Sequence, residues 1–107
     1  MKASLRVCVG CVLLLGAQSA WAQPTSSTYL SPADIAYRQT TIVSEGSRLT
    51  AELFVLKENE SQTLPTIIMC HGWGGVAAQL RPEAVAFARA GYFAVTFDYR
   101  GWGQSEG

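Results

Sequence analysis

Five uncharged residues, Thr66-Ile67-Ile68-Met69-Cys70, run directly into His71-Gly72-Trp73-Gly74-Gly75. A short apolar run that opens with β-branched residues, bounded by Pro65 and a glycine cluster, predicts a strand buried on both faces of a sheet. Three glycines within the four positions 72–75 predict a loop that presents its N–H groups to whatever approaches the backbone. This stretch limits the fold more than any other in the chain.

The residues that follow complete a unit. From Pro82 to Ala90 the chain is made of good helix formers, and Leu80, Ala84, Phe87 and Ala88 share one face at helical spacing. Pro82 and Glu83 suit a first helical turn, and Gly91 supplies the stop. Tyr92-Phe93-Ala94-Val95-Thr96-Phe97 then reads as a second strand, ending in Asp98-Tyr99-Arg100-Gly101-Trp102-Gly103. Strand, glycine loop, helix and strand form a crossover joining two parallel strands.

Earlier in the chain, Thr40 to Val43 and Arg48 to Leu56 flank Ser44-Glu45-Gly46-Ser47, which predicts a β-hairpin. Lys57 to Thr63 is polar and reads as an exposed connection. Residues 23–36 carry no apolar period and read as a flexible leader to a domain spanning 37–107. Ahead of it, Lys2 and Arg6 precede an uncharged apolar core from Val7 to Ala17, then Ala20-Trp21-Ala22. That order predicts a signal peptide over residues 1–22, cleaved after Ala22, hence an exported protein, periplasmic or secreted, with no membrane association after cleavage. The apolar core is too short for a comfortable membrane span.

Charge and cysteine counts narrow the function classes. Without Lys2 and Arg6, six basic side chains face eight acidic ones, and no basic cluster supports nucleic-acid binding. Cys8 and Cys11 fall in the segment expected to be removed. Cys70 is left alone at the end of a strand, where it reads as core filling. With His71 the single histidine, no metal site and no cofactor are expected.

His71-Gly72-Trp73-Gly74-Gly75, Ala90-Gly91-Tyr92 and Phe97-Asp98-Tyr99-Arg100-Gly101-Trp102-Gly103-Gln104-Ser105-Glu106-Gly107 together resemble the amino-terminal part of an α/β-hydrolase. The resemblance covers Tyr37 to Gly107 and is nearest to Xaa-Pro dipeptidyl-peptidase-like and dienelactone-hydrolase-like serine hydrolases. It implies an α/β fold, incomplete here: a β-hairpin, then strand, glycine loop, helix and strand. The third strand would lie inside the complete sheet, and these residues alone would leave it as an apolar edge.

For activity, the resemblance implies hydrolysis of a small-molecule carboxylic ester by a Ser-Asp/Glu-His triad beyond Gly107. A peptide substrate is the alternative, and a non-catalytic truncated product or binding module on the same scaffold is the reading from another class. The backbone N–H of Trp73 would donate to the oxyanion, with a second donor following the nucleophile. His71, Gly72, Gly74, Gly75, Asp98, Arg100, Gly101 and Gly103 would hold the two loops, and His71 would steady its turn and not serve as the base.

One pattern points elsewhere. Gly103-Gln104-Ser105-Glu106-Gly107 matches G-x-S-x-G, but a nucleophile elbow needs a strand running straight into its serine and a helix leaving it. Five residues separate Phe97 from Gly103, so Ser105 reads as part of a loop. Asp98 and Arg100 could form an ion-paired duo, although fixing the loop is the expected work of Asp98.

Overall fold

The computed structural model describes residues 28–107; the expected signal peptide and the first leader residues lie outside that range. The chain forms β1 (Ile35–Ser44), β2 (Ser47–Leu56), β3 (Thr66–Cys70), helix α1 (Arg81–Arg89) and β4 (Phe93–Phe97). Short 3₁₀ turns at Lys57–Asn59 and Ala77–Leu80 precede β3 and α1 respectively. The sheet runs in the order β1-β2-β4-β3, with β3 and β4 parallel and the other neighbours antiparallel.

The predicted hairpin is present and longer than the apolar pattern indicated. Ile35 pairs with Leu56 and Ser44 with Ser47, leaving Glu45 and Gly46 as the two turn residues at φ 49° and 81°. Two central residues at positive φ make the twist that suits a two-residue hairpin. The leader is correspondingly shorter than expected. Ile35 is in the core, the ring of Tyr29 packs edge-on against Tyr37 at 4.9 Å, and Asp34 holds Arg89 through two hydrogen bonds of 3.0 and 3.1 Å.

Helix α1 starts with Pro82 and Glu83 in its first turn, as the sequence predicts. At its other end Tyr92 N–H donates to Phe87 C=O and Gly91 N–H to Ala88 C=O, each at 3.1 Å. These are the two bonds of a Schellman stop, and the accompanying contact between Tyr92 and Phe87 is made ring to ring at 6.1 Å. The buried face differs in one respect from the expected one: Ala84, Val85 and Ala88 are buried while Phe87 is 38% exposed. Small residues let the helix lie close to the sheet, and the larger Phe87 moves to the margin to pack on Tyr92.

Period-two alternation divides the sheet into two unequal faces. Phe54 and Ala94 meet Ala84, Val85 and Ala88 in one core, joined by Ile35 and flanked by Tyr29, Tyr37, Leu56 and Met69. Ile42, Leu49, Ile68, Val95 and Phe97 line an apolar depression of about 370 Å³ on the other face. No element among the described residues covers it. Among the described residues β3 is therefore not buried on both faces: it pairs with β4 alone and Ile68 is 65% exposed, the apolar edge expected of an incomplete sheet. Cys70 is exposed as well, so it does not fill the core.

A strand edge this apolar, with unpaired backbone groups, is a template for self-association. Residues 28–107 produced alone should therefore aggregate in light scattering, and Ile68→Lys should suppress the effect. A soluble monomer of the unsubstituted polypeptide with a cooperative melt would contradict this.

Candidate active-site loops

The candidate site lies where the parallel strands β3 and β4 stop. In an open α/β sheet, ligands bind outside the carboxyl ends of the strands. After β3 the backbone turns back at once, with Gly75 N–H donating to Gly72 C=O at 3.0 Å. Gly74, third in this turn, has φ 76°, the conformation that a type II turn requires there and that a side chain would strain. Gly75 is tightly enclosed, with Gln79 Oε1 2.9 Å from where a Cβ would sit. Trp73 occupies the outer corner of the turn, 96% exposed, and its N–H has no acceptor among the described residues.

His71 anchors this turn from below. It is 4% exposed, and its Nε2 lies 3.3 Å from the N–H of Tyr99. A backbone N–H only donates, so Nε2 accepts and the ring proton sits on Nδ1. Nδ1–H then donates to Gly72 C=O at 3.0 Å. Tyr99 returns the contact through its hydroxyl, which donates to His71 C=O at 2.7 Å, and the two rings stack with centroids 3.9 Å apart. Both ring nitrogens are engaged with backbone, which makes His71 a brace for the turn.

Asp98, the first residue after β4, joins the two loops. Its Oδ1 accepts Ala77 N–H at 2.7 Å and its Oδ2 accepts Gln104 N–H at 2.9 Å. The carboxylate is 6% exposed, and a side chain at position 103 would collide with it, which accounts for Gly103. Arg100 does not pair with Asp98 and instead lies 3.9 Å from Glu45 at the hairpin turn, where both side chains are exposed and the contact is weak. Gly101 closes the loop by donating to Glu106 C=O at 2.9 Å.

Ser105 belongs to the same framework. Its hydroxyl donates to Asp98 C=O at 2.7 Å and accepts Thr50 N–H at 2.9 Å. The hydroxyl is thus engaged in both directions, and among the described residues no histidine lies beside it to act as a base.

A charged cluster that the sequence did not reveal lies beneath the loops, on the helix side of the sheet. Glu52 in β2 is 3% exposed and receives Arg81 Nε–H on both oxygens at 3.0 Å, with a further short contact from the second guanidinium nitrogen. Tyr37 donates its hydroxyl to Glu52 at 2.9 Å and Thr96 donates at 3.4 Å. The Arg81 guanidinium also covers the face of Tyr29, 4.4 Å from its centroid. Burial first, and Glu52 second, push the Tyr37 phenol up to about 12.

Beside this cluster is a cavity of about 110 Å³ lined by Gln39, Glu52, Ala77, Arg81, Asp98 and Gln104, among others. Its two carboxylates, Glu52 and Asp98, are already hydrogen-bonded. Among the described residues no three His, Cys, Asp or Glu side chains are grouped to hold a metal ion.

Strand order and loops together match the corresponding part of the α/β-hydrolase fold. The solved structure of a hypothetical protein from Pseudomonas aeruginosa is 27% identical with a TM-score of 0.66, covering 74% of this chain and 25% of its own. Epoxide hydrolase A from Mycobacterium thermoresistibile is 24% identical with a TM-score of 0.58, covering 67% of this chain and 21% of its own. The thioesterase domain of the curacin biosynthetic pathway is 21% identical with a TM-score of 0.56, covering 66% and 24%.

Two curated relatives from Escherichia coli, each described as an uncharacterized 31.7 kDa protein in the traX-finO intergenic region, are 46% identical over 66 residues. Those residues are 61% of this chain and 22% of each relative. The chain thus spans between a fifth and a quarter of the length of the proteins it matches. No family model matches it.

Two measurements on the full-length protein test the buried cluster. Glu52→Ala, which leaves Arg81 without its partner, should cost roughly 3 kcal/mol in urea unfolding, the low end for a broken buried pair because Arg81 is 24% exposed. The raised phenol has a definite sign: the fold favours neutral Tyr37, so its contribution is whole below pH 10, its ordinary value, and is lost as the pH rises to about 12. The stability difference between wild type and Tyr37→Phe should narrow across that interval. A constant difference would show that neither burial nor Glu52 raises the Tyr37 phenol.

Proposed function

We propose that the protein carrying this chain is an exported serine hydrolase acting on carboxylic esters, and that Trp73 N–H is one donor of its oxyanion hole. The observation that carries the reading is this N–H, without an acceptor among the described residues, at the corner of a braced turn beyond the carboxyl ends of two parallel strands. Hydrolysis of an ester places negative charge on the carbonyl oxygen as the serine adds, and a fixed backbone donor stabilises that charge without having to reorganise. The hydrolases among the structural neighbours are consistent with such chemistry.

On this reading the nucleophile, its acid and its base come from the rest of the protein. His71 and Ser105 are occupied in holding loops. Export rests on the pattern of residues 1–22.

The test is turnover by the full-length protein on a simple ester. Trp73→Pro removes the donor and should lower kcat by roughly 100-fold. Near wild-type turnover in a correctly folded variant would dispose of the oxyanion assignment. A fluorophosphonate probe should label a serine other than Ser105, and labelling at Ser105 would reverse the reading of that loop.

A further inference from the structure

The two loops bring two tryptophans together. Trp73 and Trp102 meet edge to face, with centroids 5.2 Å apart and planes at 68°. Trp102 lies 6.0 Å from His71, which in turn stacks on Tyr99. Trp102 is held by its own backbone: its N–H donates to Tyr99 C=O and its C=O accepts Ser105 N–H, both at 2.9 Å. The loop that bears it is clamped by Asp98. Trp102 is thus a fixed wall, while Trp73 stands almost wholly in solvent.

An exposed indole set edge-on against a second, fixed indole offers a face and a wall on which another flat ring can pack. Here the chemistry points to a ligand, because the exposed indole belongs to the residue whose N–H has no acceptor among the described residues. A carbonyl oxygen accepting that N–H would lie beside the ring pair, within the reach of its own substituents.

We propose that Trp73 and Trp102 form an aromatic subsite that selects esters carrying a flat aromatic ring one or two bonds from the scissile carbonyl. The proposal rests on the ester-hydrolase reading above and adds the substrate class. It uses only apolar contact and ring stacking, which tolerate a ring on either the acyl or the alcohol side.

The test uses the full-length protein and three substrates: ethyl phenylacetate, benzyl acetate and ethyl acetate. In the wild type, kcat/KM for one or both aromatic esters should exceed that for ethyl acetate by about tenfold. Whichever aromatic ester is preferred identifies the side on which the ring is carried. In Trp102→Leu the ratio should fall toward one, and Trp73→Leu provides a second variant should the first fail to fold.

A binding measurement separates this proposal from the reading beneath it. Phenylacetate should quench tryptophan fluorescence saturably in the wild type and not in the variants. If no ester is hydrolysed but this quenching is seen, the tryptophan pair binds aromatic rings and the ester-hydrolase reading falls, and with it the assignment of esters as the class selected. Hydrolysis with a ratio near one in the wild type, or no saturable quenching, overturns the subsite.

Discussion

The arrangement depends on one buried carboxylate. Asp98 accepts a backbone N–H from each of two loops, Ala77 beyond β3 and Gln104 beyond β4. Charge-assisted bonds of this kind are stronger than neutral ones, and a buried carboxylate left without them would be costly. The loops are therefore fixed to each other as well as to their own strands. From this follow the position of the Trp73 corner, the contact between the two indoles and the use of Ser105 as a strut. Glycine at 103 is needed because the clamp leaves no room for a side chain.

A second charged group does comparable work one layer below. Glu52 is buried under α1, where its carboxylate is satisfied by Arg81, Tyr37 and Thr96 together. The guanidinium belongs to the first residue of the helix, so the ion pair sets where α1 begins against the sheet. The helix in turn follows directly from the 3₁₀ turn Ala77–Leu80, whose first residue is held by Asp98. Two buried acids thus connect sheet, helix and loops in a single path, and apolar burial by Ala84, Val85 and Ala88 fills the space between.

Much of this was legible where the signal is local. The β-branched opening of β3, the Pro82 start and Gly91 stop of α1, and the glycines at 74 and 103 all reflect constraints within a few residues of themselves. Long-range contacts left weaker traces. Glu52 reads as an ordinary exposed glutamate because Arg81 is 29 residues away; its one signal was its place two residues before Phe54, on the face that turns inward. Tyr37 and Ile35 are brought into the core by pairing with β2, which no periodicity near them announces. Helical spacing put Phe87 on the buried face with Ala84 and Ala88, whereas close approach to the sheet favoured alanine and valine there. Ile68 and Cys70 carry the composition of buried residues, but composition does not say how many neighbours a strand has. Ser105 shows the opposite case, a motif match whose meaning is decided by the strand geometry around it.

In the proposed function, Trp73 N–H receives the oxyanion. The most direct measurement is a crystal structure of the full-length protein after reaction with a phosphonate that mimics the tetrahedral intermediate. The account predicts the phosphonyl oxygen at hydrogen-bonding distance from Trp73 N, about 2.9 Å, with the turn still closed by Gly75 and braced by His71. An adduct whose oxygen is held by other donors, with Trp73 N–H pointing into solvent or covered by another part of the chain, would contradict it.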